Sequence, residues 1–159
     1  MSLLALNKRA SFDYEFLEKI TAGLVLTGPE TKAAKGGQAN LKGAFVVFRG
    51  RAGTRPEAYL INAYIARYKC AGKDDSYVPE RPRKLLLRRR EIAHLVGKQQ
   101  EKGLTLVPIR LYTDRSLIKL EFAVARGKKS FDKRQSIKDR ELKRQLDSLR
   151  KSGSTKIRS

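Results

Sequence analysis

Two repeats of hydrophobic spacing divide this chain. Most of the first three quarters alternates with a period of two, as half-buried strands do. Tyr14–Gly28 ("YEFLEKITAGLVLTG") is rich in aliphatic and β-branched residues, and Gly23 within it predicts a bulge or sharp bend. Ala44–Gly50 ("AFVVFRG") predicts a second strand. In Glu57–Tyr68, Tyr59, Ile61, Ala63 and Ile65 alternate onto one face. Leu104–Thr113 and Ser116–Arg126 predict a hairpin around Asp114-Arg115. In its second strand Ile118, Leu120, Phe122 and Val124 share an apolar face, while Leu117, Lys119, Glu121 and Ala123 take the wet one. Near the start, "SLLAL" is either a flexible end or a packing strand.

Two stretches switch to helical spacing. Pro29–Gly37 opens on Pro-Glu and ends on Gly-Gly, so a short helix is expected. Arg89–Gly103 puts Ile92, Leu95, Val96 and Gln99 on one face and stops at Gly103; Gly97 inside it costs roughly 1 kcal/mol relative to Ala. Five or six closely spaced strands with short helices between them predict a mainly β fold. The expected form is a small antiparallel OB-like β-barrel, closed or partly closed, with two or three flanking helices and a basic C-terminal tail. No internal repeat is visible.

Charge changes the picture most. The 159 residues carry 36 Lys and Arg against 16 Asp and Glu, a net +20. Self-repulsion of that size favours a polyanionic partner, which charge alone leaves open as nucleic acid, acidic lipid or an acidic protein. The charge is uneven. Residues 1–126 hold net +12, and the 33 residues of 127–159 hold net +8 with few large apolar side chains: Phe131, Ile137, Leu142, Leu146, Leu149 and Ile157. Such a segment buries too little to offset its ordering entropy. The expected organisation is an RNA-binding β domain over 1–126 and a basic tail over 127–159, disordered when free. Leu142, Leu146 and Leu149 nevertheless make one narrow helical stripe, and a lone helix of this length is marginal in water.

"RPRKLLLRRREIAHLVG" (81–97) concentrates the charge. Arg81, Arg83, Lys84, Arg88, Arg89 and Arg90 surround three leucines. Pro82 disfavours helix at Arg81, so the segment arrives extended, with Leu85 and Leu87 pointing one way and Leu86 the other. Cations at a helix start oppose its dipole, an arrangement that an anionic partner would relieve. Arg83, Lys84, Arg88 and Arg89 are therefore candidate RNA contacts, as are Lys32 and Lys35 on the short helix. Phosphate contacts alone confer no specificity; shape or stacking must add it. Tyr64, Tyr68, Tyr77 and Phe45 are available for stacking, although core packing is the commoner use of each.

Catalysis has little to stand on. His94 is the sole histidine and lies in a helix, and Cys70 is the sole cysteine, expected to be a small buried or half-buried residue. Asp74-Asp75 reads as a turn. No enzyme, cofactor or metal site is expected. No apolar run is long enough to span a membrane, no signal peptide is expected, and a reducing cytoplasm suits a lone thiol.

Four stretches together resemble the SsrA-binding protein (small protein B) family. "GPETKAAKGGQANLKGAFV" follows its pattern G-x-E-V-K-S-x-R-x-G-x-x-N-[LI]-x-x-[SA]-[YF]-V. "RPRKLLLRRREI" and "GKQQEKGLTLVPI" are similar to its next most distinctive segments. "AVARGKKSFDKRQSIKDRE" resembles its closing motif. Order and spacing agree from about Asn7 to Arg144. The resemblance implies a monomer that binds the tRNA-like part of transfer-messenger RNA and rides with it and elongation factor Tu into the A site of a stalled ribosome. The tail would enter the vacant mRNA channel, meet 16S rRNA and fold there as a helix. By position, the resemblance assigns Glu30, Leu87, Arg88 and Lys119 to RNA binding. It assigns Gly127, Lys128, Lys129, Phe131, Asp132, Lys133 and Arg134 to the decoding centre. Arg88 replaces the usual Asn or His, and Ala33-Ala34-Lys35 replaces Ser-Leu-Arg. A basic ribosomal protein or a general RNA binder on the same barrel is the alternative.

Overall fold

The computed structural model describes residues 1–73 and 75–156; Asp74 and Ile157, named above, lie outside the described residues. The chain separates into two compact units, Met1–Gly127 and Lys128–Ser159.

In the first unit the elements run β1 (Ser2–Leu6), α1 (Ala10–Asp13), β2 (Tyr14–Leu24), α2 (Gly28–Lys35), β3 (Ala39–Asn40), β4 (Phe45–Arg49), β5 (Glu57–Ile61), β6 (Tyr64–Ile65), β7 (Arg83–Leu86), α3 (Arg89–Gln100), β8 (Leu104–Asp114) and β9 (Leu117–Gly127). Seven of the strands form an antiparallel sheet in the order β1-β8-β9-β2-β7-β5-β4, and β3 pairs with β6 in a separate two-stranded ribbon.

The core follows the alternation of β9. Ile118, Leu120, Phe122 and Val124 face inward and are buried, joined by Leu60, Leu85, Leu106 and Leu111 from neighbouring strands and by Leu95 from α3. Full burial of Phe122 alone contributes about 1.5–3 kcal/mol relative to an exposed ring. The opposite face of β9 is not wholly wet: Ala125 packs with Ala10 and Val107 in a second small cluster, beneath Tyr14 and Phe16. The hairpin is tight. Asp114 pairs with Leu117, and Arg115 in the turn takes φ 59°.

Four expectations need correction. The sheet is open, not a closed barrel. "SLLAL" forms β1, pairs with β8 and is one end of the strand order, with β4 at the other. The sheet curls until β4 lies beside β8 without pairing to it. Second, the bulge in β2 is not at Gly23 but at Leu17, where the register against β9 shifts between Phe16 and Glu18. Gly23 instead lies between two partners, Lys119 of β9 and Leu86 of β7. Third, Glu57–Tyr68 is not one strand. Asn62 takes a left-handed φ of 59°, which ends β5 and reverses the inward parity. Ala58 and Leu60 are buried before it, Ala63 and Ile65 after it. Fourth, Cys70 is exposed.

Both anticipated helices form. At α2, Thr27 and Glu30 make a capping box: the Thr27 N–H donates to Glu30 Oε2 at 3.0 Å, and the Glu30 N–H donates to Thr27 Oγ1 at 3.4 Å. At α3 the Arg88 N–H donates to Glu91 Oε2 at 2.7 Å. Glu91 thus places a carboxylate in the first turn and offsets the cations that oppose the dipole there.

In the second unit, α4 (Ser130–Lys156) is one helix of 27 residues.

Candidate nucleic-acid interface

The interface rests on a buried ionic node. Glu30 stands in the first turn of α2 with its side chain wholly buried. Arg81 meets it with two hydrogen bonds, Nε to Oε1 and Nη2 to Oε2, each 2.6 Å. This bidentate form fixes orientation as well as charge. Arg83, also wholly buried, donates from Nη2 to Glu30 Oε1 at 3.1 Å. Its two terminal nitrogens also donate to main-chain oxygens, Nη1 to Ala63 (2.7 Å) and Nη2 to Pro79 (2.8 Å), while the buried Nε has no hydrogen-bond partner among the described residues. Tyr77 completes the node by donating its hydroxyl to the Ile65 carbonyl at 2.7 Å.

One carboxylate therefore ties α2 to the loop before β7 and, through Arg83, to the β5–β6 corner and the loop at Pro79. Burial pushes the Glu30 carboxyl up, but the Arg81 hydrogen bond, the Thr27 amide and the charges of Arg83 and Arg81 outweigh it, so the group sits below the ordinary carboxylate range. Burial raises the Tyr77 phenol.

Glu30 and Arg83, expected at the RNA surface, face inward, 1% and 0% exposed. Ala33 and Ala34 are also buried, 1% and 0% exposed, and face the core rather than a partner. The exposed cations of that helix are Lys32 and Lys35, and the Lys32 ammonium lies over the Tyr68 ring, 5.6 Å from its centroid.

The leucine run alternates as expected. Leu85 is buried, Leu87 packs against the core from a half-buried position, and Leu86 is 57% exposed. Arg88, Arg89 and Arg90 are exposed at the start of α3. Lys84 donates to Glu57 Oε1 at 2.8 Å; that bond holds the lysine above its ordinary range and the carboxylate below. Lys119 bonds Asp114 Oδ2 at 2.8 Å, with the same two directions. Lys119 and Leu86 flank Gly23 in one cross-strand row, since Gly23 pairs with both. The sheet thereby joins the hairpin's lysine to the cluster that precedes α3.

Arg81, Glu57 and Asp114 escaped the sequence reading as site residues, and Tyr77 was read there only as a ring available for stacking. Arg81 had a signal: its alternation with Arg83 across Pro82 places both on one side of an extended segment. The acidic partners had none, because their lysines lie 27 and 5 residues away. His94 sits half-exposed, a ring nitrogen 2.9 Å from Glu18 Oε2. Among the described residues no three His, Cys, Asp or Glu side chains gather as a metal site, and no helix is long and apolar enough to cross a membrane.

Of the tail motif, Gly127 is the last residue of β9 and pairs with Tyr14. Lys128 donates to Ser136 Oγ at 3.0 Å, and the Lys133 N–H bonds the Lys129 carbonyl. Asp132 lies in the first turn of α4, where its charge suits the dipole. Lys129 and Arg134 belong to the same stretch; the side chain of Phe131 lies outside the described residues. Leu142, Leu146 and Leu149 form the anticipated stripe, each more than half exposed.

The chain is similar to known proteins along most of its length. The sequence model of the family described as "SmpB protein" matches residues 4–152. An SsrA-binding protein of Synechococcus sp. (strain JA-3-3Ab) is 49% identical over 140 residues, 88% of each chain. One from Flavobacterium psychrophilum is 45% identical over 147 residues, 92% of this chain and 94% of the relative. A chain of the solved structure "tmRNA-SmpB: a journey to the center of the bacterial ribosome" superposes with a TM-score of 0.64 at 41% identity, covering 82% of this chain and 87% of that one.

Proposed function

The chain belongs to the SmpB protein family, and from that premise we infer that it binds the tRNA-like domain of transfer-messenger RNA and delivers it to stalled ribosomes for trans-translation. The observation that carries this reading is the reach of the match. It runs from 4 to 152 and so takes in both the sheet and most of α4. A general RNA-binding module would not need the tail.

The division of labour follows from the geometry. Lys32, Lys35, Lys84, Leu86, Leu87, Arg88, Arg89 and Lys119 are the accessible or half-accessible groups, and they meet the RNA. The lysines and arginines neutralise phosphates, and the leucines press on sugar or base faces. Glu30 and Arg83 act from below. They hold α2 and the segment before α3 in fixed relation, so that the cations above match one RNA shape. The scaffold is an opened relative of the OB-like barrel, its sheet curled rather than closed.

The tail, Gly127 through Arg134 and onward, serves the ribosome. Its cations supply phosphate contacts to 16S rRNA in the vacant mRNA channel, and its leucine stripe gives the helix a side to dock. Residues 130–156 are helical in form, yet a helix without a buried face draws little stability from itself. Ribosome contact supplies the remainder. Elongation factor Tu accompanies the complex through the RNA, and the work is done in the cytoplasm, where ribosomes are.

The test compares affinities for the folded tRNA-like RNA and for an unstructured RNA of equal length at one salt concentration. Much tighter binding to the folded RNA is expected. Equal affinities would leave only a general RNA binder.

A further inference from the structure

Between the start of α2 and the loop that follows β6 lies a cleft of about 220 Å³. Arg67 and Tyr68 line one side, Pro29 and Glu30 the other, and Tyr77 and Arg81 also contribute. It is smaller than the pockets of about 300–1,000 Å³ that bury drug-sized ligands. Two phenol rings, a proline ring and two guanidinium groups bordering so small a space suit one flat, π-faced group carrying a negative charge.

The electrostatics agree. Glu30 would repel an anion, but its carboxylate is taken up by Arg81, Arg83 and the Thr27 amide. Lys32 lies over the Tyr68 ring. Lys69 and Lys73, from the same loop, are exposed and line a second hollow that shares Arg67 with the cleft. Arg67 is half-buried and anchored by donating to the Gly72 carbonyl, which holds its charge at the mouth. Of the four rings available for stacking in the sequence, the fold brings Tyr68 and Tyr77 to one place.

We propose that this cleft receives a single unstacked nucleobase of the bound RNA, stacked against Tyr68, with the adjoining phosphate on Arg67. RNA is read in this way where loops splay their bases onto aromatic and guanidinium planes. The proposal rests on the RNA-binding reading above and adds a subsite to it. Stacking supplies the sequence-tolerant share of affinity, and Arg67 supplies the salt-dependent share.

The experiment titrates full-length protein with the tRNA-like RNA across a range of salt, using wild type, Tyr68→Ala, Tyr68→Phe and Arg67→Ala. Tyr68→Ala is expected to weaken binding by roughly 5- to 150-fold, the span of one base–aromatic stack, with an unchanged salt slope. Tyr68→Phe should bind like wild type. Arg67→Ala should lower the salt slope by about one. If Tyr68→Ala binds as tightly as wild type, the subsite is wrong while RNA binding stands; if wild type itself shows no preference for the folded RNA, the parent reading fails instead. Thermal melts check that each variant folds. Should Tyr68→Ala unfold, ultraviolet cross-linking of wild type to RNA bearing 4-thiouridine decides the matter. Cross-links to the peptide around Tyr68 are expected, and cross-links confined to other peptides would overturn the proposal. Saturable binding of AMP or UMP that RNA does not displace would also overturn it, by assigning the cleft to a free nucleotide.

Discussion

A guanidinium nitrogen of Arg83 lies 3.1 Å from a carboxylate oxygen of Glu30, and both side chains are wholly buried. Removing one partner of a buried pair leaves the other charge unpaired and costs about 3–5 kcal/mol. Here the loss of the carboxylate would strand two cations. Glu30→Ala is therefore expected to destabilise the first unit by about that amount, measured by urea unfolding. A midpoint equal to that of wild type would mean the node does not hold the interface together.

The same carboxylate gives stability a pH dependence. Its folded value lies below the ordinary one, so the unfolded chain binds more protons on acidification. The contribution is complete above the unfolded carboxylate value of about 4.3 and drains away as pH falls through the lower, folded value. Wild-type stability should thus drop below about pH 4.3 by more than that of Glu30→Gln. Parallel curves for the two proteins would contradict this.

Asn62 tolerates φ 59° because its short polar side chain suits the left-handed region. Asn62→Gly should be accepted with little change. Asn62→Val should cost about 1–2 kcal/mol and loosen the corner whose next residue, Ala63, accepts the Arg83 hydrogen bond. Thermal unfolding of both variants provides the comparison.

Lys32, Arg89 and Lys119 come from three different elements, α2, α3 and β9. If each meets one phosphate, replacing any of them with Ala should weaken RNA binding and lower the salt slope by about one. Lys119→Ala carries a second consequence, since it frees Asp114 from its partner and leaves a carboxylate near the RNA. It should weaken binding more than Lys32→Ala does. Salt titrations of the three variants would show an unchanged slope if these side chains stand clear of the RNA.

Gly127 pairs with Tyr14 and closes β9, so a truncation that respects the fold ends after Gly127. Such a protein should bind the tRNA-like RNA within about twofold of wild type, a difference under 1 kcal/mol, and should fail to support tagging of stalled products. Leu146→Pro should act alike in the full chain, because proline inside a helix costs about 3 kcal/mol or more. Loss of RNA binding in the truncated protein would show that the tail is part of the RNA site.

The sequence was informative where chemistry is local or periodic. The alternation of Ile118, Leu120, Phe122 and Val124 fixed the core face of β9, and the turn at Asp114-Arg115 fixed its hairpin. The Pro-Glu opening and the Gly-Gly stop bounded α2. The four motifs gave the family and with it an RNA partner, while the charge asked only for a polyanion. Periodicity misled at Glu57–Tyr68, where one left-handed residue reversed parity inside an apparently regular strand. It also had no means of distinguishing the pairing edge of "SLLAL" from a loose end.

What a residue faces depends on contacts between distant segments, and only the folded chain decided those. Glu30 and Arg83 read as surface charges, since an ionised group is not expected inside. Their burial is tolerable because residues 51 and 53 positions from Glu30 arrive to complete its hydrogen bonds. Tyr68 and Tyr77 became neighbours across one cleft by the same means. Composition by itself determined that the partner is a polyanion, and the motifs pointed to RNA; long-range packing decided which charged side chains remain at the surface, because desolvating a charge is permitted only where the fold supplies its counterpart.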